Sequence, residues 1–298
     1  MTSGAEQAIA EDHQLAGYGP ASVKPNSITR WALDGKSILK LYRTITPHER
    51  QRREVDALQL AAERGIAVPP VVSTGEHRGH PWTMIGSVPG NRCSIRTVRG
   101  VQEFVRRVHE ATQQIHIGIA GVAPGSGWRW QPDEPAMSNR DFLLDQLSSR
   151  CEQLDWWSDM EDTLESYGSA RTVYLYGDFK PEHLLVDGEQ LYIVDWEASG
   201  RGPAASDQAD ATFHVVRDLI YGAAQPRRLP IGIISRLGAP GPALAWRIAL
   251  WLDRRRPGDV RLVRARDLYQ LAALGDPAAA CEQLARMIAV LRTEGVPR

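Results

Sequence analysis

Cysteine is scarce in this 298-residue chain. Cys93, Cys151 and Cys281 are the whole supply, odd in number, far apart and without the close spacing of metal ligands. A disulfide framework is therefore excluded, and a reducing cytoplasm is the expected home. No apolar run approaches the roughly 18 residues that a membrane span needs. The first fifteen residues lack the basic-then-apolar pattern of a secretion signal and read as a loose, polar start. Internal repeats and low-complexity tracts are absent. So is any large charge excess: the formal net charge is −1. On its own that figure argues neither for nor against nucleic acid, and no nucleic-acid or membrane partner is expected.

What remains is ordinary globular composition, 43% apolar and 24% charged, in a chain long enough for one large domain or two lobes. The charge is uneven. Residues 211–298 carry 14 Lys and Arg against 7 Asp and Glu, whereas residues 1–210 carry 21 against 29. Solvated helix faces account for such a basic segment without further assumption.

Residues 20–90 read as a small sheet with one helix. Ile28–Leu33 and Ser37–Tyr42 are predicted strands joined by the Asp34-Gly35 turn. Thr46-Pro47-His48-Glu49 predicts a helix start with Thr46 as cap and Glu49 completing a capping box. Val55, Leu58 and Ala62 form its apolar face, and Gly65 ends it. Val68–Ser73 and Pro81–Ile85 are further extended pieces. Beyond the Pro89-Gly90 connector the pattern turns helical, over Val101–Ile117, Ser138–Tyr167, Ser206–Tyr221, Pro242–Arg255, Val263–Leu274 and Pro277–Glu294. A Gly/Pro-rich loop spans Gly118–Pro135. Thr172–Tyr176, Leu184–Val186 and Leu191–Val194 are short strands. The expected division is a loose segment at 1–19, a strand-rich lobe at 20–88 and a larger helical lobe at 89–298, with ligand in the cleft between lobes.

The chemistry concentrates in Tyr176-Gly177-Asp178-Phe179-Lys180-Pro181-Glu182-His183 and in Ile193-Val194-Asp195-Trp196-Glu197. The two aspartates stand 17 residues apart, one on a loop before a strand and one at the end of the next strand. Asp178 is placed to accept the proton of an attacking hydroxyl, and Asp195 offers the hard oxygen that Mg²⁺ prefers. Lys40 interrupts the apolar strand Ile38-Leu39-Lys40-Leu41-Tyr42, where a buried ammonium needs an anionic partner. Glu54, in the predicted helix, is the candidate. Alone, the pair reads more simply as a snorkelling lysine and a solvated glutamate. Their joint occurrence with Asp178, His183 and Asp195 favours a phosphoryl-transfer site.

With these residues the chain resembles the aminoglycoside phosphotransferase and choline kinase group, from about residue 20 to residue 222. The resemblance implies an α+β, two-lobed, protein-kinase-like fold with an antiparallel-sheet N-lobe and a mainly helical C-lobe. It implies a kinase that uses ATP or GTP with Mg²⁺ on an alcohol acceptor. Asp178 becomes the catalytic base, Asp195 a magnesium ligand, and Lys40 with Glu54 the phosphate-positioning pair. Met84, Ile85 and Ser87 fall in the hinge that reads the base through backbone groups, and Ser27 in the nucleotide loop. Asp207 would brace the catalytic loop. Three positions depart from the family pattern. Tyr176 replaces the usual His. His183 replaces the usual metal-binding Asn, as it does in the macrolide kinases of this group, and is a metal candidate or a loop hydrogen-bonder. The loop Val23-Lys24-Pro25-Asn26-Ser27 contains no glycine.

The acceptor is less legible. Arg254, Arg255, Arg256, Arg261, Arg264 and Arg266 argue against a highly cationic aminoglycoside. A neutral or weakly charged small-molecule natural product with a free hydroxyl, such as a macrolide or nucleoside antibiotic, is expected, with Trp128, Trp130, Trp156 and Trp157 either as flat binding surfaces or as core. A second acceptor is Ser or Thr of a ribosomal precursor peptide in lanthipeptide-type maturation, with a lyase partner. A third reading, of another class, is a nucleotide-binding pseudokinase.

Overall fold

A computed structural model describes residues 18–24, 27–43, 46–120, 154–168, 171–222, 229–255 and 264–298, with scattered positions between 141 and 147. Trp128, Trp130, Cys151, Arg256, Arg261, most of the Gly/Pro-rich loop and residues 1–17 lie outside the described residues.

Along the chain the strands are β1 (Ser22–Val23), β2 (Ser27–Trp31), β3 (Ser37–Tyr42), β4 (Val71–His77), β5 (His80–Gly86), β6 (Asn91–Arg92), β7 (Thr172–Leu175), β8 (Leu184–Asp187), β9 (Gln190–Ile193) and β10 (Gly200–Pro203). Helices of two turns or more among the described residues include α1 (Pro47–Glu63), α2 (Val98–Gly118), α3 (Trp157–Gly168), α4 (Ala205–Gly222), α5 (Gly241–Arg255), α6 (Ala265–Ala272) and α7 (Pro277–Thr293). They form two compact units. One runs to Asn91 and takes in Leu185–Ser199; the other holds Arg92 to Leu184 and everything from Gly200 onward.

The first unit is built on an antiparallel sheet of order β1-β2-β3-β5-β4. The Asp34-Gly35 turn closes as the sequence suggests: Gly35 takes φ 70°, and Asp34 Oδ1 accepts the Lys36 N–H at 2.9 Å. Strand parity then divides the side chains. Leu39, Leu41, Trp82 and Met84 form one apolar cluster, with Tyr18 and Ile28 packed on it. Lys40 and Tyr42 point to the other face. On that face Tyr42 donates to Glu54 of α1 at 2.7 Å.

Two local expectations for α1 fail. Thr46 caps with its backbone only, and Glu49 pairs with Arg53 instead of closing a capping box. The buried face is Arg50, Glu54, Ala57, Leu58 and Ala61 rather than Val55, Leu58 and Ala62. The helix is rotated so that Glu54 faces inward, where Lys40 offsets its desolvation.

In the second unit, α2 begins at Thr97, whose hydroxyl accepts the Gly100 N–H at 3.0 Å. Its stripe of Phe104, Val108, Ala111 and Ile115 is fully buried. The β10 strand, unexpected from the sequence, pairs antiparallel with β7 from Gly200–Leu175 to Pro203–Thr172. Trp157 joins the core, and Trp156 stacks on Tyr269 at 4.8 Å. α5 abuts the end of α6 so closely that a Cβ on Gly241 would lie 2.1 Å from the Leu271 carbonyl oxygen and 2.6 Å from that of Leu274. Gly241→Ala should therefore cost about 1–3 kcal/mol through overpacking. Thermal unfolding should show a midpoint several degrees lower; an unchanged midpoint would mean that the two helices separate freely.

Candidate active site

Lys40 is the centre of the first unit's polar cluster. It is buried, and its Nζ lies 2.7 Å from Glu54, 3.0 Å from Asp195 and 2.9 Å from Glu197. Burial alone would lower its pKa; Asp195, Glu197 and Glu54 outweigh that and raise it well above the usual lysine value. Glu54 is pushed up from the ordinary carboxyl range, first by burial against the opposing pull of Lys40, and then by Asp195 and Glu197. One ammonium thus serves three carboxylates, with Lys24 3.6 Å from the outer oxygen of Asp195. Glu54, Asp195 and Glu197 each offer an oxygen within 4.8 Å of the others, a donor set whose hardness suits Mg²⁺.

Asp195 reaches this position through a strained backbone. Its φ of 63° and ψ of 65° are left-handed, uncommon for a residue with a Cβ. Such strain persists where surroundings over-determine it. Here Trp196, fully buried, donates its indole N–H to Ile193 O at 2.9 Å and pins the one-turn helix Trp196–Ala198.

The catalytic-loop sequence lies in the second unit. Gly177 takes φ 82°, and its N–H donates to Asp207 Oδ1 at 2.8 Å. The Tyr176 N–H donates to Asp207 Oδ2 at 3.1 Å, and His116 Nε2 lies 2.9 Å from the same oxygen. Asp207 is wholly buried. Asp207→Ala strands two backbone N–H groups and should cost about 2–5 kcal/mol, because each unsatisfied buried donor carries its own desolvation penalty. Transfer should fall with it; calorimetry and kcat measure the two effects.

Asp178 is also buried. Its Oδ2 is 2.5 Å from Lys180 Nζ and 3.6 Å from His183 Nδ1. Its Oδ1 is 3.5 Å from His214 Nε2. Burial pushes the carboxyl up, but Lys180 first, then His214 and His183, hold it well below the usual carboxylate range. It is therefore ionised at neutral pH. Behind it, His214 lies 3.4 Å from Asp210, whose Oδ1 takes the Arg247 Nε–H at 2.5 Å. His183 Nδ1 is engaged within the loop, 2.8 Å from the Tyr176 hydroxyl and 3.0 Å from the Asp178 carbonyl oxygen. Any metal contact by this ring accordingly falls to Nε2.

The structure brings Lys40, Glu54 and Asp195 together, and it brings Asp178 and His183 together. The positions expected to read the base are less open. Met84 and Ile85 lie within β5, laddered between β3 and β4, and their side chains are buried. The Ser87 N–H donates to Lys36 O at 2.8 Å. Ser27 is a buried strand residue whose carbonyl accepts from Lys24 N at 2.9 Å. Sequence reasoning missed Asp210, His214 and Arg247. The signal was present: Asp207, Asp210 and His214 recur at helical spacing on α4. Glu197, at the end of the Ile193–Glu197 motif, shows no separate role in the sequence.

A strand-borne lysine with its carboxylates in one unit, and a braced aspartate loop in the other, are features that phosphoryl transfer calls for. A family profile described as "Phosphotransferase enzyme family" matches residues 26–243, and the chain belongs to that family. It is an enzyme of the kinase class acting on a hydroxyl. Among solved structures it is similar to the GDP and kanamycin complex of APH(2")-IIia, with 12% identity, TM-score 0.58 and coverage of 96% of this chain and 98% of that one. A thermostable mutant of aminoglycoside phosphotransferase APH(4)-Ia, in ternary complex with ADP and hygromycin B, is similar at 12% identity, TM-score 0.53 and coverages of 95% and 98%. Aminoglycoside phosphotransferase APH(3'')-Id from Streptomyces rimosus follows at 12%, 0.51, 96% and 99%. These likenesses establish the two-lobed protein-kinase-like α+β fold. No protein of curated function matched the chain. No helix among the described residues is long and apolar enough to cross a membrane.

Proposed function

We propose that the enzyme moves the γ-phosphate of ATP or GTP to a hydroxyl of a natural product other than a highly cationic aminoglycoside. The observation that carries this reading is the Lys40 cluster. A lysine held within 3.0 Å of Glu54 and Asp195 is fixed where it can pair with nucleotide phosphates. Asp178 acts as base, receiving the proton of the acceptor hydroxyl at its carboxylate. Asp195, with Glu197 beside it, would hold Mg²⁺ in the first unit, and His183 is the metal candidate of the second. That ion would offset charge on the phosphates. Both nucleotides stay in the proposal, since the similar structures carry GDP in one case and ADP in another.

Purified protein incubated with each nucleotide, Mg²⁺ and a panel of macrolides, nucleoside antibiotics, kanamycin and candidate precursor peptides should give an 80-dalton-class mass gain, that of one phosphoryl group (roughly 80 Da), on a natural product. Chelation by EDTA should abolish it, and added Mg²⁺ should restore it. Efficient phosphorylation of kanamycin would overturn the acceptor reading, and gain on a peptide alone would move the enzyme to precursor maturation. Slow nucleotide hydrolysis that is identical in the wild type and in Asp178→Ala would favour a binding module.

A further inference from the structure

A cleft of about 880 Å³ opens within the second unit, beside the catalytic loop. Its walls are the segment Arg92–Val98 leading into α2, the catalytic-loop residues Pro181 and Glu182, and the end of α4 with the chain terminus. The volume suits a drug-sized organic molecule. Val101, Leu219 and Leu229 supply apolar lining, and Val98, 57% exposed, presents a further apolar side chain to it.

Cationic groups predominate in the wall. Asp218, its buried carboxylate, is more than neutralised. Arg217 reaches Oδ1 through Nε at 2.8 Å and Nη2 at 2.7 Å, and Arg298 Nη2 reaches the same oxygen at 3.0 Å. Arg92 and Arg96, both exposed, make no ion pair among the described residues. Only the exposed Glu182 opposes them. The first turn of α2 carries no acidic residue, so the helix dipole adds to the same sign. Unpaired guanidiniums above an apolar floor match an oxyanion attached to an apolar body, since the planar fork meets phosphate or carboxylate through paired hydrogen bonds.

We propose that this cleft seats the acceptor, and that the acceptor carries a phosphate or carboxylate group beside an apolar portion. The assignment rests on the phosphotransferase reading, because it is Asp178, three residues before Pro181, that makes an occupant of this cleft an acceptor. It narrows the acceptor from natural products other than highly cationic aminoglycosides to anion-bearing ones.

Calorimetric titration of the full chain, first saturated with Mg·ADP, tests it with three probes: phenyl phosphate, phenylacetate and benzyl alcohol. Binding of phenyl phosphate, phenylacetate or both is expected, at least about tenfold tighter than benzyl alcohol, as for a charge-assisted contact. The two anionic probes distinguish a phosphate from a carboxylate acceptor. Arg92→Ala/Arg96→Ala should weaken that binding about tenfold or more while its thermal midpoint and ADP affinity match the wild type, because both side chains are exposed. Absence of binding, equal binding of charged and neutral probes, or undiminished binding by the double variant would overturn the proposal. Failure of ADP to bind, in contrast, would strike the nucleotide reading and leave the cleft result standing by itself.

Discussion

Asp178→Asn is expected to lower kcat by about 10²–10⁴, the usual contribution of a positioned general base. The asparagine keeps the shape of the carboxylate, so nucleotide binding in the first unit's Lys40 cluster should be unchanged, and KM for the nucleotide with it. The substitution also has a stability component with a definite sign. The native carboxyl sits well below its ordinary pKa because Lys180, His214 and His183 overcome its burial. A carboxyl depressed in the folded state contributes stability above its unfolded value, near 3.9, and loses it as pH falls through the folded value. At neutral pH the variant therefore forfeits that contribution and leaves the ammonium of Lys180 without its 2.5 Å partner. The thermal midpoint should drop at pH 7, and the gap from wild type should close in strong acid. Rate and midpoint together separate the roles: a fallen midpoint with kcat within tenfold of wild type would make Asp178 a structural ion-pair residue and sink its catalytic assignment.

The residues that announce this chemistry were legible because they contradict their surroundings. Lys40 in an apolar strand demands an anion, and Asp34-Gly35 demands a turn; both readings rest on local physics that tertiary structure could satisfy but not alter. Glu54 was found by its distance from Lys40, yet the apolar face assigned to its helix was wrong. Periodicity places apolar residues inward, and it cannot foresee that a buried lysine repays turning a glutamate toward the core. The same limit hid Asp210, His214 and Arg247. Their partners lie 33 and 37 residues apart on α4 and α5, so only packing brings them together. Nor could sequence show β10, since Gly200-Arg201-Gly202-Pro203 has poor strand propensity and is held by its partner β7. The strained Asp195 was equally invisible: nothing in Ile193-Val194-Asp195-Trp196 says that the aspartate will take positive φ, although the buried Trp196 beside it makes the strain affordable.

Lys40→Met should be the most damaging substitution in the first unit. Methionine approximates the length of the lysine stem and removes only the charge, which leaves Glu54, Asp195 and Glu197 facing one another around an apolar tip. Removing one partner from a buried ion pair typically costs about 3–5 kcal/mol. Loss of the charge proposed to position phosphate should lower kcat by roughly 10²–10³, comparable to deleting a preorganised electrostatic donor. The stability deficit should itself depend on pH. Glu54 already has a raised carboxyl pKa with Lys40 present, and without the ammonium that rise is unopposed. A carboxyl raised in the folded state is tolerated fully below its unfolded value, near 4.3, and destabilises progressively as pH climbs through the folded value. The variant should therefore lie much further below wild type at pH 8 than at pH 5, and thermal midpoints across that range measure it. Lys40→Arg provides the complementary case: the charge survives, but the longer planar fork cannot occupy the point where the three carboxylates meet. It should recover much of the midpoint and little of the rate. If Lys40→Met kept both midpoint and rate, the cluster would be an incidental buried network and the nucleotide would have to be held elsewhere. If Lys40→Arg recovered both, charge alone would be enough and the close geometry around Nζ would carry no positioning role.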